Sequence, residues 1–353
     1  MGEQKKFSSP EEKYMRRALE LATYGAGFVS PNPMVGAVIV SRSGRIIGEG
    51  WHRKYGCPHA EVNAVNSVSS EDEHLLPEAT IYVTLEPCSH YGKTPPCSLL
   101  LINKGIGRVV VGSPDPFPLV AGRGIKMLRE AGIEVVESFL QKECDFLNRR
   151  FLTAHTLQRP YIMLKWAESS DGFMAPLDDE GNSYSVKIST PLTSRLMHKE
   201  RAVYDAIMIG THTVLIDNPT LTTRLWPGTD ARPVIFTSSR VSEEAEIMRR
   251  NPILLPSSSL SDAMRILYKE YGVTSLMVEG GAKLLSSFLK ENLFDEIRQE
   301  ISNVTLNKGI PAPSIPSPLT LMEENIFDGN IVRRYIKAPS TKILADIRPF
   351  DMR

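Results

Sequence analysis

The chain has 353 residues, a length that predicts about two domains. Its 41 basic and 41 acidic residues balance, and no apolar run approaches the roughly 20 residues of a membrane span, so neither nucleic acid nor membrane is an expected partner. The polar amino terminus does not resemble a signal peptide and four cysteines do not make a disulfide scaffold, so we expect a cytoplasmic protein with reduced thiols.

The first 150 residues alternate between predicted helices and strands. Helical spacing marks "PEEKYMRRALELATYG", with Gly25 as its C-cap, and also "HAEVNAVNSV", "PPCSLLLINKG" and "GIKMLREAG". Short β-branched runs predict strands at "MVGAVIV", "ATIYVTLEP", "RVVVGS" and "IEVVESF". This alternation favours a three-layer α/β domain over residues 1–150.

A second α/β domain is predicted over residues 151–353. Its expected strands are "RPYIMLKWA", "DAIMIG", "ARPVIFTS" and "TSLMVEGG", and "AKLLSSFLKEN" is an expected helix. Another helix should begin at "STPLTSRLMHKERAVY", with Ser189 or Thr190 as N-cap and Pro191 in its first turn. The tail after Asn307 is rich in proline and poorly patterned, so no element is assigned to it.

The pattern His59-x-Glu61, followed by Cys88 and Cys97, has the residue types of a catalytic zinc site. One histidine and two cysteines leave the fourth position of tetrahedral zinc for water, whose pKa the metal lowers toward about 7. Glu61 would not bind the metal; it would move a proton from that water to a leaving amine. Nucleobase deaminases use the same pattern, although here eight residues separate the two cysteines.

Other interpretations of these residues stay open at this point. Taken singly, His59 could be a surface cap, Glu61 a residue of a first helical turn, and the cysteines core residues. A structural zinc site would want a fourth protein ligand, for which Cys57 is near in the chain. We treat Cys57 and Cys144 as ordinary thiols. In the segment between the cysteines, His90 and Lys93 suit an anionic substrate such as a phosphate.

Four segments resemble the deaminase half of the bifunctional riboflavin-biosynthesis deaminase/reductase family: "SPNPMVGAVIV", "GEGWHRKYGCPHAEVNAV", "TLEPCSHYGKTPPC" and "GSPDPFPLVAGRG". The resemblance implies a cytidine-deaminase-like fold and a diaminopyrimidinone substrate that carries a ribosylamino phosphate. It also implies substrate contacts from Asn32, His52, Lys93 and Asp115. Phe117 departs from the asparagine usual in this family, and a phenyl ring cannot make the hydrogen bonds of an amide.

The second half resembles the reductase domain of the same family, which has a dihydrofolate-reductase-like fold. The matching segments are "PYIMLKWAESSDGFMA", "KISTPLTSRLMHKERAVYDAIMIGTHTVLIDNPTLTTR" and "SLMVEGGAKLLSSFL", and no Gly-x-Gly-x-x-Gly fingerprint of a Rossmann domain occurs. In "VEGGAKLL" a strand runs through two glycines into a helix, which is either an anion-binding cradle or a plain turn.

The resemblance implies NADPH as the cofactor of this second domain and assigns residues to it. Expected cofactor-binding residues are Glu168, Lys187, Thr213, Asp217, Ser238, Gly281, Ala282, Lys283 and Leu284. Expected substrate-binding residues are Ser185, Arg201, Leu221, Arg224 and Glu279. Arg201 and Arg224 suit the ribose phosphate, because a guanidinium group binds phosphate oxygens in pairs. The "TVLIDNP" segment is expected to be a loop beside the cofactor.

Some positions depart from the reductase pattern. Ser170 stands where leucine is usual, Lys187 stands where a large residue is usual, and a glycine-rich stretch is replaced by "NVTLNKGIPAP". We therefore expect a bifunctional enzyme that uses Zn²⁺ and NADPH, with a deaminase carrying an inactive second domain as the alternative. A tRNA or DNA deaminase and a zinc-stabilised interaction module are further alternatives. We also expect a homodimer or a larger homo-oligomer.

Overall fold

The computed structural model describes residues 9–91, 95–116 and 121–337. The chain forms two compact units, which meet along the sequence between Thr156 and Leu157. The boundary that we predict at residue 150 stays a prediction. No helix in the described part of the chain has the length and apolar character that a bilayer crossing requires.

The first unit alternates helices with strands. Its helices are α1 (Glu12–Thr23), α2 (Ala60–Asn66), α3 (Cys97–Asn103), α4 (Arg123–Glu130), α5 (Gln141–Leu147) and α6 (Arg149–Leu157), the last of which runs one residue past the unit boundary. Its strands are β1 (Gly36–Val40), β2 (Ile46–Trp51), β3 (Thr80–Leu85), β4 (Arg108–Ser113) and β5 (Glu134–Val136). A short 3-10 helix covers Glu73–Glu78.

Helices cover both faces of the first sheet, which confirms the predicted three layers. The strand order is β2-β1-β3-β4-β5; β1 is antiparallel to both β2 and β3, and β3, β4 and β5 are parallel. Ala64, Leu101 and Leu128 from α2, α3 and α4 pack on one face. Met15 of α1 and Cys144 of α5 pack on the other. The carboxyl ends of β3 and β4 therefore lie at one edge, where α3 and α4 begin.

The glycine after α1 has a different role from the predicted one. The helix ends at Thr23, and Gly27, not Gly25, has the positive φ of 79° that favours glycine. A Cβ atom at Gly25 would lie 2.6 Å from the carbonyl oxygen of His52, so glycine is required there for close backbone approach. Strand β2 and helices α5 and α6 were not predicted, whereas the predicted glycine stop after α3 is confirmed by Gly105 (φ 68°).

The second unit holds a larger mixed sheet. Its helices are α7 (Pro191–Arg201), α8 (Thr211–Asp217), α9 (Leu260–Lys269) and α10 (Ala282–Lys290), and Glu246–Arg250 forms a 3-10 helix. Its strands are β6 (Tyr161–Glu168), β7 (Phe173–Pro176), β8 (Ala206–Gly210), β9 (Arg232–Thr237), β10 (Ile253–Pro256), β11 (Ser275–Val278), β12 (Glu296–Ile301), β13 (Gly309–Pro311), β14 (Thr320–Phe327) and β15 (Asn330–Ile336).

Eight strands form one sheet in the order β10-β9-β8-β11-β6-β12-β15-β14, and β7 pairs separately with β13. The strands from β10 to β12 run parallel, and β15 and β14 add an antiparallel edge. Met264 of α9 and Phe288 of α10 pack on one face. Met197 of α7 and Val214 of α8 pack on the other, so this unit also has three layers.

The structure corrects two expectations for this unit. The proline-rich tail after Asn307, to which no element was assigned, forms β13, β14 and β15. Most of the "TVLIDNP" segment is helix α8 rather than a loop; the helix ends before Asn218, which has a left-handed φ of 38°. The N-cap of α7 agrees with the prediction, because Thr190 Oγ1 accepts a hydrogen bond from the Thr193 amide.

Candidate active sites

Three segment ends bring His59, Cys88 and Cys97 together. His59 is the N-cap residue of α2, Cys97 is the first residue of α3, and Cys88 follows β3 after Pro87. The Cys97 amide donates a hydrogen bond to Cys88 Sγ at 3.3 Å, which ties the start of α3 to the end of the strand. The prediction that these residues meet is therefore supported by their geometry: their ligand atoms all lie within 4.8 Å of one another.

The distances in this cluster match the edges of a zinc tetrahedron. His59 Nδ1 lies 3.6 Å from Cys88 Sγ and 3.4 Å from Cys97 Sγ. Zinc bound at about 2.0–2.1 Å from nitrogen and about 2.3 Å from sulfur would hold such atoms about 3.5 Å apart. One nitrogen and two sulfur ligands are also the donor types that zinc prefers, so the residues fit the metal.

The two thiols of the cluster are electrostatically unequal in the polypeptide. Hydrogen bonds from Cys97 and His59 stabilise the Cys88 thiolate and lower the pKa of Cys88 to about 4. The pKa of Cys97 is raised, first by its hydrogen bond to Cys88 and then by burial. The pair therefore concentrates negative charge in a small buried volume, which a divalent cation would neutralise.

Glu61 lies on the first turn of α2, beside the cluster but outside the ligand group. Its side chain is buried and hydrogen-bonded to Cys97. Burial, together with the negative charge of Cys88, raises the pKa of Glu61 to about 7. A carboxyl group with this pKa can both accept and release a proton near neutral pH.

His52 and Asn32, two predicted substrate residues, lie together beside the cluster. The His52 ring makes an edge contact with the His59 ring, with centroids 5.5 Å apart. His52 Nδ1 lies 3.1 Å from the Pro58 carbonyl oxygen, which requires a donor, so Nε2 is left to accept from Asn32 Nδ2 at 3.2 Å. Burial lowers the pKa of His52, which favours this neutral form.

The other predicted deaminase residues have varied positions. His90 is exposed and Asp115 is half-buried, and neither belongs to the ligand group. Lys93 and Phe117 lie outside the described residues. Cys57 is exposed and Cys144 is buried in the core, so neither joins the cluster.

One buried carboxylate of this region, Glu86, was missed in the sequence. It lies between β3 and Cys88 and accepts hydrogen bonds from backbone amides that follow β4. The motif "TLEPC" offered the only hint, because a glutamate directly after a buried strand must find partners if it is itself buried.

The second unit contains a cavity of about 380 Å³ at the ends of its central strands. Of the predicted residues, Ser185, Lys187, Thr213, Asp217, Glu279, Gly281 and Ala282 line it. A Cβ atom at Gly281 would meet only Thr213 Oγ1, at 3.7 Å, so the backbone here is open to close approach by a ligand. The Gly281 amide donates to Thr213 Oγ1 at 3.2 Å. An open glycine backbone at the start of α10 fits the diphosphate of a dinucleotide.

Glu279, at the floor of this cavity, is held by Arg201. The guanidinium Nε and Nη2 atoms donate to the two carboxylate oxygens at 2.8 and 2.6 Å, and Nη1 donates to the Thr222 carbonyl oxygen at 3.0 Å. Burial alone would raise the pKa of Glu279, but the charge and hydrogen bonds of Arg201 outweigh it and hold the pKa at about 2. Arg201 therefore fixes an anion at the cavity.

Lys165 is a cavity residue that was missed in the sequence. It lies on β6, opposite Arg298 of β12, and lines the cavity together with Glu279. Burial lowers the pKa of Lys165, although Glu279 acts in the opposite direction. The strand "YIMLKWAE" contained the hint, since a lysine within an otherwise apolar parallel strand is rarely placed there for packing alone.

The remaining predicted reductase residues do not line the cavity. Glu168 is buried and accepts hydrogen bonds from Trp166 Nε1 and Gln299 Nε2. Leu221 is buried with a left-handed φ of 51°, and Leu284 is buried in the core. Exposed positions are taken by Ser238, Lys283 and Arg224.

Both units match known families in sequence. Residues 8–113 match the cytidine and deoxycytidylate deaminase zinc-binding region, and residues 160–308 match the RibD C-terminal domain. The riboflavin biosynthesis protein RibD of Aquifex aeolicus is 38% identical over 326 residues, which cover 85% of this chain and 89% of that protein. RibD of Escherichia coli is 36% identical over 324 residues, covering 81% and 86%.

Solved structures show the same relationship over most of the chain. RibD of Acinetobacter baumannii superposes with a TM-score of 0.84 at 33% identity, covering 92% of this chain and 98% of that one. A diaminohydroxyphosphoribosylaminopyrimidine deaminase/5-amino-6-(5-phosphoribosylamino)uracil reductase of Thermotoga maritima gives a TM-score of 0.79 at 37% identity, covering 93% and 98%.

Proposed function

The chain belongs to the RibD family of riboflavin-biosynthesis proteins, and on this premise we propose how its residues act in two consecutive reactions. It is a bifunctional enzyme, a zinc-dependent deaminase followed by an NADP-dependent reductase. Both family models match, and the relatives cover most of the chain. The alternative of a deaminase with an inactive second domain is therefore not supported.

The first reaction removes an amino group from a diaminopyrimidinone that carries a ribosylamino 5′-phosphate. Zinc held by His59, Cys88 and Cys97 would supply an activated water as nucleophile. Glu61 takes a proton from the water and delivers it to the leaving amine, which departs as ammonia. Asn32 and His52 hold the base. The neutral His52 ring donates its Nδ1 proton to the Pro58 carbonyl oxygen, so its Nε2 accepts from Asn32 and fixes the orientation of the Asn32 amide.

The second reaction converts the ribosyl group of the deaminated product into a ribityl chain. NADPH bound along Gly281 and Ala282 would supply a hydride to C1′. Lys165 faces the same cavity, and its lowered pKa makes the ammonium group a better proton donor to the ring oxygen that C1′ releases. Glu279, kept ionised by Arg201, holds the Lys165 ammonium and the ribose hydroxyls in position.

The role that the structure suggests for Arg201 differs from the predicted one. Its guanidinium group is already occupied by Glu279 and the Thr222 carbonyl oxygen, with only 13% of the side chain exposed. We therefore propose that Arg201 positions Glu279. Exposed Arg224 is the better candidate for the substrate phosphate.

The observation that carries this proposal is the His59, Cys88 and Cys97 cluster with buried Glu61 beside it. The test is incubation with the diaminopyrimidinone phosphate, with and without NADPH, followed by mass spectrometry. Without NADPH the amine should be replaced by oxygen, and with NADPH the product should also gain a hydride and a proton. An unchanged substrate would refute the proposal, and a product that stops after deamination would restore the alternative.

We further propose that the protein acts in the cytoplasm as a homodimer or larger homo-oligomer and binds no nucleic acid. The balanced charge of the chain supports the last point. Sedimentation of the purified protein, with and without single-stranded DNA or tRNA, tests both the oligomeric state and nucleic-acid binding.

A further inference from the structure

The carboxylate of Glu86 holds together two backbone segments beside the metal ligands. Its Oε2 accepts from the amides of Asp115 at 3.2 Å and Gly122 at 3.0 Å. Its Oε1 accepts from the amides of Gly124 at 3.0 Å and Ile125 at 3.4 Å. One buried side chain thus bonds four amides: two lie in the link between β4 and α4, and two lie in the first turn of α4.

The start of α4 is also in close contact with the turn that carries Cys88. A Cβ atom at Gly124 would lie 2.1 Å from the Pro87 carbonyl oxygen, so this approach is possible only for glycine. Next to it, Ser98 Oγ of α3 lies 3.0 Å from the Cys88 carbonyl oxygen, to which it donates, and 3.6 Å from Met127 Sδ of α4. Helices α3 and α4 and the Cys88 turn therefore pack together, and Glu86 joins to them residues 114–116 after β4, here called the Asp115 segment.

We propose that Glu86 is a positioning residue for deamination, which holds the Asp115 segment and the first turn of α4 in the arrangement that receives the substrate. Glu86 lies outside the metal-ligand group, and its four partners are backbone amides, so it acts through the backbone that it orders. This inference rests on the proposed deaminase function, because only that function gives the Asp115 segment a substrate to receive.

The test is the substitution Glu86→Gln in the full, zinc-loaded chain. In either orientation the amide NH₂ would face two N–H donors, so two of the four bonds are lost. Hydrogen exchange of the amides at 115 and 122–125 should become at least about tenfold faster, the change expected when a charge-assisted bond is lost. Exchange in α2 and α3 and the zinc content should stay unchanged. The deaminase KM should rise by about tenfold or more, and kcat should change less.

Two further variants separate positioning from general stability. Glu11→Gln also removes a carboxylate of the first unit, one that accepts from Arg108 and from the Tyr82 hydroxyl, and it should leave the deaminase KM unchanged. Glu86→Asp keeps the charge but shortens the reach, and it should give a smaller increase in KM than Glu86→Gln. The reductase of the same chain serves as an internal measure of folding and should be unaffected in all three variants.

Unchanged exchange at 115 and 122–125 in Glu86→Gln would overturn the proposal. Faster exchange spread evenly over the first unit, with an unchanged KM, would also overturn it, because Glu86 would then only stabilise the fold. Failure of the wild-type chain to release ammonia from the diaminopyrimidinone would instead refute the proposed function. The hydrogen-exchange rates of the Glu86→Gln variant can be measured whether or not the chain is a deaminase, so the two outcomes are distinguishable.

Discussion

Each unit has a largely buried glutamate at its candidate site. The pKa of Glu61 in the first unit is raised above the ordinary value, whereas the pKa of Glu279 in the second unit is lowered below it. None of the described residues bonds a cationic side chain to Glu61, so burial raises its pKa to about 7. Glu279 is also largely buried, but the two hydrogen bonds and the charge of Arg201 hold its pKa at about 2. The local partner, rather than the residue type, thus makes the first glutamate a group that can move protons and the second a permanent anion.

The sites also differ in how much of the chain builds them. The candidate metal ligands and Glu61 come from three short segments between residues 59 and 97, at the starts of α2 and α3 and just after β3. The cavity of the second unit is lined by residues from Lys165 to Ile310, which lie on β6, β7, the segment 183–189 before α7, α8, the start of α10 and β13. A metal ion is bound by a few ligand atoms at fixed distances. A dinucleotide is bound along an extended surface, to which many helices and strands contribute residues.

The largest effect that separates the two sites should come from Cys97→Ser. Loss of one thiolate ligand should remove zinc and abolish deamination, while the reductase continues to work on deaminated substrate. Zinc content by atomic absorption and ammonia release measure the first site, and NADPH oxidation measures the second. The matched control is Cys57→Ser, at an exposed cysteine near His59 that should not affect the metal. Zinc loss in the control would indicate a four-ligand structural site.

Glu61→Gln should have the next largest effect. The variant should keep zinc, because Glu61 is not a ligand, but lower the deaminase kcat by about 10²–10⁴-fold, because the proton shuttle is lost. Steady-state ammonia release with parallel metal analysis checks this. Normal turnover in the zinc-loaded variant would show that another group moves the proton.

Glu279→Gln should instead act mainly on stability. It leaves the buried Arg201 charge without its partner, which should destabilise the second unit by about 3–5 kcal/mol. Hydrogen exchange in urea, followed on peptides from 157 to 337, measures the change. Glu324→Gln breaks a matched but exposed pair with Arg333 and should cost about 1 kcal/mol or less.

The pH dependence gives a second check on the same pair. Because the pKa of Glu279 is lowered from 4.5 to about 2 on folding, its ion pair stabilises the second unit above about pH 4.5. That stability should be lost as the pH falls from 4.5 toward 2, as protonation of the unfolded state becomes favourable. The dependence should be weaker in Glu279→Gln, and an identical acid transition in both proteins would contradict the ion pair.

The smallest expected effect is that of Gly281→Ala, which tests the cofactor surface. The fold has room for the methyl group, since among the described residues its one neighbour within 4 Å is Thr213 Oγ1 at 3.7 Å, but the group would project into the proposed path of a dinucleotide. The Kd for NADPH should rise about tenfold, or by about 1.4 kcal/mol, in a fluorescence titration. Gly210→Ala is the control: its Cβ would meet only Leu284 Cδ2 at 4.0 Å, and Gly210 does not line the cavity. Equal NADPH affinity in both variants would exclude Gly281 from the cofactor surface.

Much of the first site could be predicted because its information is local. His59 and Glu61 lie two positions apart and Cys97 begins its helix directly after Pro96, so residue type and spacing already imply a shared ion. Asn32 and His52 depended on the resemblance, and their contact with each other is visible only in the structure. Glu86 could not be predicted, because its partners are backbone amides some 30 to 40 residues away in the chain.

The second site was less predictable for the same reason. Apolar runs identified the central strands, but the mostly exposed edge strand β14 has no such pattern, and α8 was taken for a loop. Lys165 looked like one polar residue within a strand, and only the sheet register places it in the cavity. Arg201 looked like a free cation until the structure placed the Glu279 carboxylate beside it.

The amino-acid sequence by itself predicted the two α/β units, and its residue types and spacing indicated a metal-ligand set and Glu61 as a candidate proton carrier, because ligand chemistry and hydrophobic periodicity are properties of neighbouring residues. Only the tertiary structure decided which side chains become partners across the sheet. These partners explain why Glu61 and Glu279 differ in pKa, since the pKa of a buried carboxyl group depends on the charges that folding brings close to it.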